Sequence, residues 1–176
     1  IPLLNHSYAE IKLNTLDILN VFIKNEYLKE YILKNVTLNT LLSLFEDVDC
    51  KHSVLEFSHN AILENIITPS SDKNCKLQLC LIESLTDDRD DIRMSALTCL
   101  INYSKNSFGY QWRIIGAILP LVADTSDKIR ESAISTIKDD FTQDEVKQHF
   151  RDSVIIYDLK DQSTRSNHTR TRTLVF

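Results

Sequence analysis

Five histidines and four cysteines are the side chains of this 176-residue chain best suited to hold a metal or to act as base or nucleophile. The histidines are His6, His52, His59, His149 and His168. No two stand at i, i+4, so no helix face presents a ligand pair, and HExxH is absent. Cys50 and His52 are neighbours, but two ligands do not make a zinc site. Cys50, Cys75, Cys80 and Cys99 form no CxxC. Three of them lie among apolar residues at helical spacing, as small buried hydrophobes do, which predicts reduced thiols rather than a disulfide framework. There is no GxSxG and no SxxK. Gly109 and Gly116 are the only glycines, too few and too far apart for a phosphate-cradling loop. The reading is a protein without catalytic, cofactor-binding or metal-ligating residues.

The elements that would position any site follow from the same scarcity. Average usage would give roughly 12 Gly and 9 Pro, and the chain has 2 and 3. The tight turns of a sandwich or barrel need more of both. Helices joined by short polar turns remain. At 43% hydrophobic and 26% charged the chain can bury one core. Its formal charge of −5 gives no general drive toward nucleic acid or anionic lipid. The charge is uneven: residues 1–88 hold 7 Lys+Arg against 13 Asp+Glu, whereas beyond Asp161 there are Arg165, Arg170 and Arg172 and no acid. No apolar run approaches the roughly 20 residues of a membrane span, and no signal peptide is visible. Sequons stand at Asn5, Asn35, Asn102 and Asn167, where twelve Asn would give about two by chance, and are read as incidental. A cytoplasmic or nuclear location is expected. The chain starts at Ile1 rather than Met, so it is expected to be processed or excised from a longer one.

A repeat runs through it. AEIKLNTLDIL (9–19), DDIRMSALTCL (90–100) and DKIRESAISTI (127–137) align without a gap. Each carries Ile (Ile11, Ile92, Ile129), a cation (Lys12, Arg93, Arg130), a small residue (Thr15, Ala96, Ala133) and two aliphatics (Leu16 and Leu19, Leu97 and Leu100, Ile134 and Ile137). These offsets put the apolar set on one helix face. The small residue fits a close helix crossing, where a larger one would overpack by roughly 1–3 kcal/mol. A weaker copy is placed at 57–66, with Phe57, Ala61, Ile62 and Ile66. A first helix precedes each copy: Leu38, Leu41, Leu42 and Phe45; Leu77, Cys80, Leu81 and Leu85; Ile114, Ile118, Leu121 and Val122. A short helix is predicted over 26–34. Ser7-x-x-Glu10 and Thr142-x-x-Glu145 have capping-box spacing. Pro2 and Pro120 each stand nine residues before the repeat Ile, so the chain is expected to open inside the first helix of a repeat.

With these residues in place, about residues 1–140 resemble HEAT repeats, whose second helix carries Asp, then Val/Ile-Arg/Lys, a small residue and aliphatics, and whose first helix often holds a proline. Asp127-Lys128-Ile129-Arg130 with Ala133 and Pro120 is the best match. Asp91-Ile92-Arg93 with Ala96 comes next, then Glu10-Ile11-Lys12 with Pro2. The resemblance implies an all-α, right-handed α-solenoid of about four HEAT-type helical hairpins over 1–160, its first repeat truncated, followed by a polar, basic, disordered tail at 161–176. It implies a non-enzymatic scaffold or adaptor that binds protein partners on a curved surface, as part of a larger chain or complex. A chromosome-associated subunit that contacts nucleic acid, and a tubulin- or transport-factor-binding module, are the alternative roles.

Three groups of residues are candidates for partner binding on that resemblance. Lys12, Arg93 and Arg130 form a row, one cation per repeat, or else a ladder paired with acids such as Asp91 and Asp127. Turn acids Asp87, Asp88 and Asp124, with Asp90, Asp91 and Asp127, would dock a basic peptide or simply cap helices. Tyr110, Trp112 and Arg113, within YSKNSFGYQWR (103–113), have hot-spot composition, against the alternative that Trp112 packs inward. HEAT-like iron enzymes use His-Glu dipeptides, and no histidine here is followed by Glu. HEAT-like DNA glycosylases use Trp, Arg and Asp, but phosphate binding needs several Lys or Arg on one face of a body that is acidic here. Residues 142–151 read as a further helix with Val146 and Phe150 inward, and 154–157 as a cap on the last repeat.

Overall fold

The computed structural model describes residues 1–68, 76–105 and 111–139, and all regular structure among them is helical. A 3₁₀ segment, Pro2–Asn5, leads into α1 (Ala9–Phe22), α2 (Glu26–Asn35), α3 (Leu38–Phe45) and α4 (Lys51–Leu63). Then come α5 (Lys76–Ser84), α6 (Asp90–Lys105), α7 (Gln111–Ile118), a second 3₁₀ segment (Leu119–Ala123) and α8 (Asp127–Asp139). No helix among these residues is long and apolar enough to cross a membrane.

Local chemistry sets the boundaries. The Asn25 side chain accepts from the N–H groups of Tyr27 and Leu28 to start α2, and Thr37 accepts from Thr40 to start α3. With so little glycine, α4 ends on Asn65 at φ 56°, the one non-Gly left-handed residue among those described. Ile66 N–H donates to the Ala61 carbonyl and Asn65 N–H to Ile62, so asparagine closes a Schellman motif where glycine is usual. Pro2 and Pro120 both stand in the first turn of a 3₁₀ segment, where proline has no N–H to waste. Ser7 does not cap α1; Tyr8 takes that position without a side-chain bond, because His6 Nδ1 accepts from Tyr8 N–H (3.1 Å) and forms the turn. The second predicted capping box, at 142–145, lies outside the described residues.

One row of helices follows from the contacts: α1 lies on α4, α4 on α6 and α6 on α8; α3 packs against the first 3₁₀ segment and α5, while α5 and α7 each lie on α6. One core runs from Leu4 to Ala133. Thr15, Leu16, Leu19, Ala96, Leu97 and Leu100 are buried as the pattern requires.

Two placements differ from the sequence reading. The copy at 57–66 is set seven residues too late. Cys50, Val54, Leu55 and Ser58 of the second unit are buried as Ile92, Ala96, Leu97 and Leu100 are, Phe57 matches Cys99, and Lys51, in the slot of the buried Arg93, is partly buried. Ile134, expected in the core, is 39% exposed. Its counterparts Leu16, Leu55 and Leu97 are fully buried, on helices that a further described helix follows, and α8 is the last described helix.

Candidate functional site

The cations singled out in the sequence converge on the turns that precede the row helices, and each turn is organised by one aspartate. Asp47 Oδ1 accepts from Asp49 N–H (3.1 Å), Asp87 Oδ1 from Arg89 N–H (3.1 Å) and Asp124 Oδ1 from Ser126 N–H (2.8 Å). These are Asx turns, in which the side chain mimics a backbone carbonyl. The same carboxylates receive the cation of the preceding row helix. Lys12 Nζ meets Asp47 Oδ2 at 2.7 Å and Lys51 Nζ meets Asp87 Oδ2 at 2.8 Å. Arg93 meets Asp124 with two bonds, Nε to Oδ2 (2.9 Å) and Nη2 to Oδ1 (2.8 Å). Each rung thus ties one unit to the next across 31 to 36 residues of chain.

The Arg93–Asp124 rung is the most buried, with side chains 10% and 7% exposed. Arg93 Nη1 also donates to the carbonyls of Asp87 (2.9 Å) and Asp88 (3.0 Å), so the guanidinium fork joins two turns, which an ammonium cannot do. Its bonds to Arg93 hold the Asp124 carboxyl below its ordinary range, against the opposing effect of burial. At Asp87, burial pushes the pKa up, but donors from Lys51 and Arg89 outweigh it and hold it at about 2. At Asp47 the Lys12 bond does the same, and Lys12 is raised in return.

Lys12, Arg93, Asp87 and Asp124 each form an ion pair within the chain. The sequence offered Asp91 as a ladder acid for this row; Arg93 instead reaches forward to Asp124, and Asp91 lies 3.7 Å from His52. Arg130 does pair with Asp127 of its own helix. Asp88 and Arg113 are exposed. Tyr110 and the side chain of Trp112 lie outside the described residues. Asp47 and Lys51 escaped the sequence reading; the recurring cation-to-aspartate interval would have found them once Lys51 was placed in register.

A second, amide-based set of rungs crosses the row near the helix C-termini. Asn60 Nδ2 donates to Asn20 Oδ1 (3.1 Å), and Asn102 Nδ2 approaches His59 Nδ1 (3.3 Å) at the equivalent position one unit on. Burial lowers the His59 pKa, with Glu56 pulling weakly the other way. Unfolded histidine titrates near 6.5. The unfolded chain therefore takes its proton first, and stability falls as pH drops from about 6.5 toward the folded value. Urea midpoints at pH 7 and pH 5 should show that loss in the wild type, and His59→Gln, which keeps an acceptor for Asn102, should reduce it.

Among the described residues no three His, Cys, Asp or Glu side chains cluster as a metal site. Cys50 and Cys99 are free thiols; burial and then Asp47 push Cys50 up to about 11, and burial alone raises Cys99. Neither is poised as a nucleophile. A depression of about 580 Å³ between α3 and α5 is lined by Leu42, Phe45, Leu79 and Cys80, and its Lys51 is already held by Asp87.

The exposed apolar side chains are concentrated in the first helices. Of the twelve exposed large hydrophobics among the described residues, seven (Leu3, Tyr8, Ile18, Val21, Phe22, Tyr27 and Tyr31) lie in residues 1–31. Ile18 is 52% exposed although its register equivalents Phe57 and Cys99 are fully buried. In comparisons with known proteins, no family model, no curated protein and no solved structure matches the chain.

Proposed function

We propose that the chain is a segment of a HEAT-type α-solenoid and serves as a non-enzymatic scaffold that holds a protein partner on its α1–α2 end. The single observation that carries the reading is the exposed set on α1 and α2, with Ile18 and Phe22 one turn apart and Tyr27 and Tyr31 one turn apart. Aromatic and aliphatic side chains at this density mark protein contacts, and tyrosine is enriched among those that dominate affinity. The rungs give further support. Because Lys12, Arg93, Asp87 and Asp124 are bound internally, the row cations and turn acids are poorly placed to recognise a partner by charge. The unit-on-unit packing and the recurring rungs support the solenoid reading, since such proteins are held by contacts between neighbouring repeats.

Quantitative affinity purification of the tagged chain from its native cells tests the proposal. Tyr27→Ala with Tyr31→Ala should cost a co-purifying protein about tenfold or more in recovery, the loss expected of two hot-spot aromatics, while the melting temperature stays unchanged. Reversal of Asp88 and Asp91 to lysine should leave that recovery intact. A partner lost only on the acid reversal would move the site to the turn ridge, and retention through both changes would remove the α1–α2 assignment.

A further inference from the structure

We infer that the depression between α1 and α4 takes a cationic side chain, lysine or arginine, from the protein segment that docks on the α1–α2 face. The depression has a volume of about 570 Å³. It is lined by Asp17, Asn20 and Val21 of α1, by Lys24 just beyond that helix, and by Glu56 and Asn60 of α4. It opens beside the exposed apolar set, since Val21, 69% exposed, belongs to both. Asp17 and Glu56 are exposed, and neither is in an ion pair among the described residues. They hold the same register position on successive row helices, a position that Thr98 holds on α6 and Ser135 on α8. Among the four row helices it is acidic only on the first two, at the end where the apolar set lies.

The surroundings supply little positive charge of their own. Of the four lysines in residues 9–35, Lys12 and Lys29 are held by Asp47 and Glu64, and Lys34 lies 3.9 Å from Glu30. Lys24 is left against Glu10, Asp17 and Glu26, and Glu56 adds a further carboxylate from α4. Within the depression two carboxylates face one ammonium. Asn60 Nδ2 is turned to Asn20 Oδ1 (3.1 Å), which leaves Asn60 Oδ1 as an acceptor for a lysine or arginine N–H. Val21 offers the aliphatic stem of such a side chain a hydrocarbon wall. An acidic segment would meet like charge here. Exposed ion pairs each contribute little affinity. The apolar set therefore holds the segment, while the carboxylates select which segment it is and speed its arrival.

The inference rests on the α1–α2 docking reading above, and two defined peptides separate the two. Both are fluorescein-labelled amphipathic helices of about 18 residues with leucine and phenylalanine on one face. One carries arginine on the other face, its counterpart glutamate. In anisotropy titrations the full chain should bind the arginine peptide more tightly. Asp17→Asn with Glu56→Gln should weaken that peptide about fivefold, the loss expected of two exposed ion pairs. Asp88→Asn with Glu131→Gln removes the same charge elsewhere and should act less than about twofold, because screening confines each charge to its own neighbourhood. All four residues are exposed, so melting temperatures should hold. Failure of the arginine peptide to bind, no loss in the first variant, or an equal loss in both overturns the inference. Tighter binding of the glutamate peptide, lost in Lys24→Gln, overturns it in favour of an acidic segment. Tyr27→Ala with Tyr31→Ala should weaken both peptides alike. If it does while Asp17→Asn with Glu56→Gln does nothing, the docking face stands and the cation site alone fails; if neither acts, both fail.

Discussion

Arg93→Ala should be among the most destabilising single changes in the molecule, lowering stability by about 3 kcal/mol. For a chain of this size that corresponds to a drop of roughly 6–12 °C in melting temperature. The reasoning starts from what is left behind. The Asp124 carboxylate, 7% exposed, keeps the Ser126 N–H but loses both guanidinium bonds, and the carbonyls of Asp87 and Asp88 lose their shared donor. An unpaired buried charge costs more than the pair contributes, so truncating the cation is harsher than never having had it. Arg93→Lys should recover only part of the loss, since one ammonium cannot serve the carboxylate and both carbonyls. The acid limb follows the same bonds. The Asp124 pKa is lowered on folding, so its contribution is complete above the ordinary carboxylate range near pH 4 and disappears as pH falls through the folded value. In the Arg93→Ala protein that part of the acid transition should flatten. Lys12→Ala removes a more exposed single bond and should cost clearly less. Thermal melts of the three variants decide it, and an Arg93→Ala protein melting within about 2 °C of wild type would mean the rungs are incidental to the packing.

Much of the architecture was legible because the repeat uses residue types that mean something physically. Ile-cation-x-x-small-aliphatic at 9–19, 90–100 and 127–137 falls on α1, α6 and α8, with Pro2 and Pro120 at matching 3₁₀ turns. The unit at α4 was misplaced by seven residues for a definite reason. Seven residues are almost two helical turns, so either register keeps the apolar set on one face, and periodicity cannot separate them. Cys50 in place of Ile and Ser58 in place of Leu weakened the true copy; only Lys51 in the cation slot marked it. The rungs themselves were half visible. The cations were read correctly as a recurring feature, but their partners come from the next turn, and that requires knowing which unit stacks on which. Nor does a helix carry any sign of being last in its row. Ile134 and Leu97 are alike in sequence context, and α8 simply has no described helix beyond it.

That dependence of burial on the neighbour, rather than on the residue, sets the second large effect. Phe57 and Ile18 occupy the same register position. Phe57 is fully buried, beside Ile32, Leu38 and Leu41 of α2 and α3, whereas Ile18 is 52% exposed. Phe57→Ala should therefore cost about 3–5 kcal/mol, through lost transfer energy and a cavity that the two helices cannot close. Ile18→Ala should stay within about 0.5 kcal/mol, as for other exposed sites. Denaturant midpoints with an unchanged slope would measure both. The contrast is informative whichever way Ile18 behaves. If Ile18→Ala is as costly as the interior change, the α1 face is already covered in solution, and the site proposed there is internal structure. If it is silent in the isolated chain but weakens recovery of a partner, the exposed slot is filled in the complex by that partner's side chains. A small loss at Phe57 would undo the seven-residue register itself, and with it the equivalence of Lys51 with Lys12 and Arg93 on which the ladder rests.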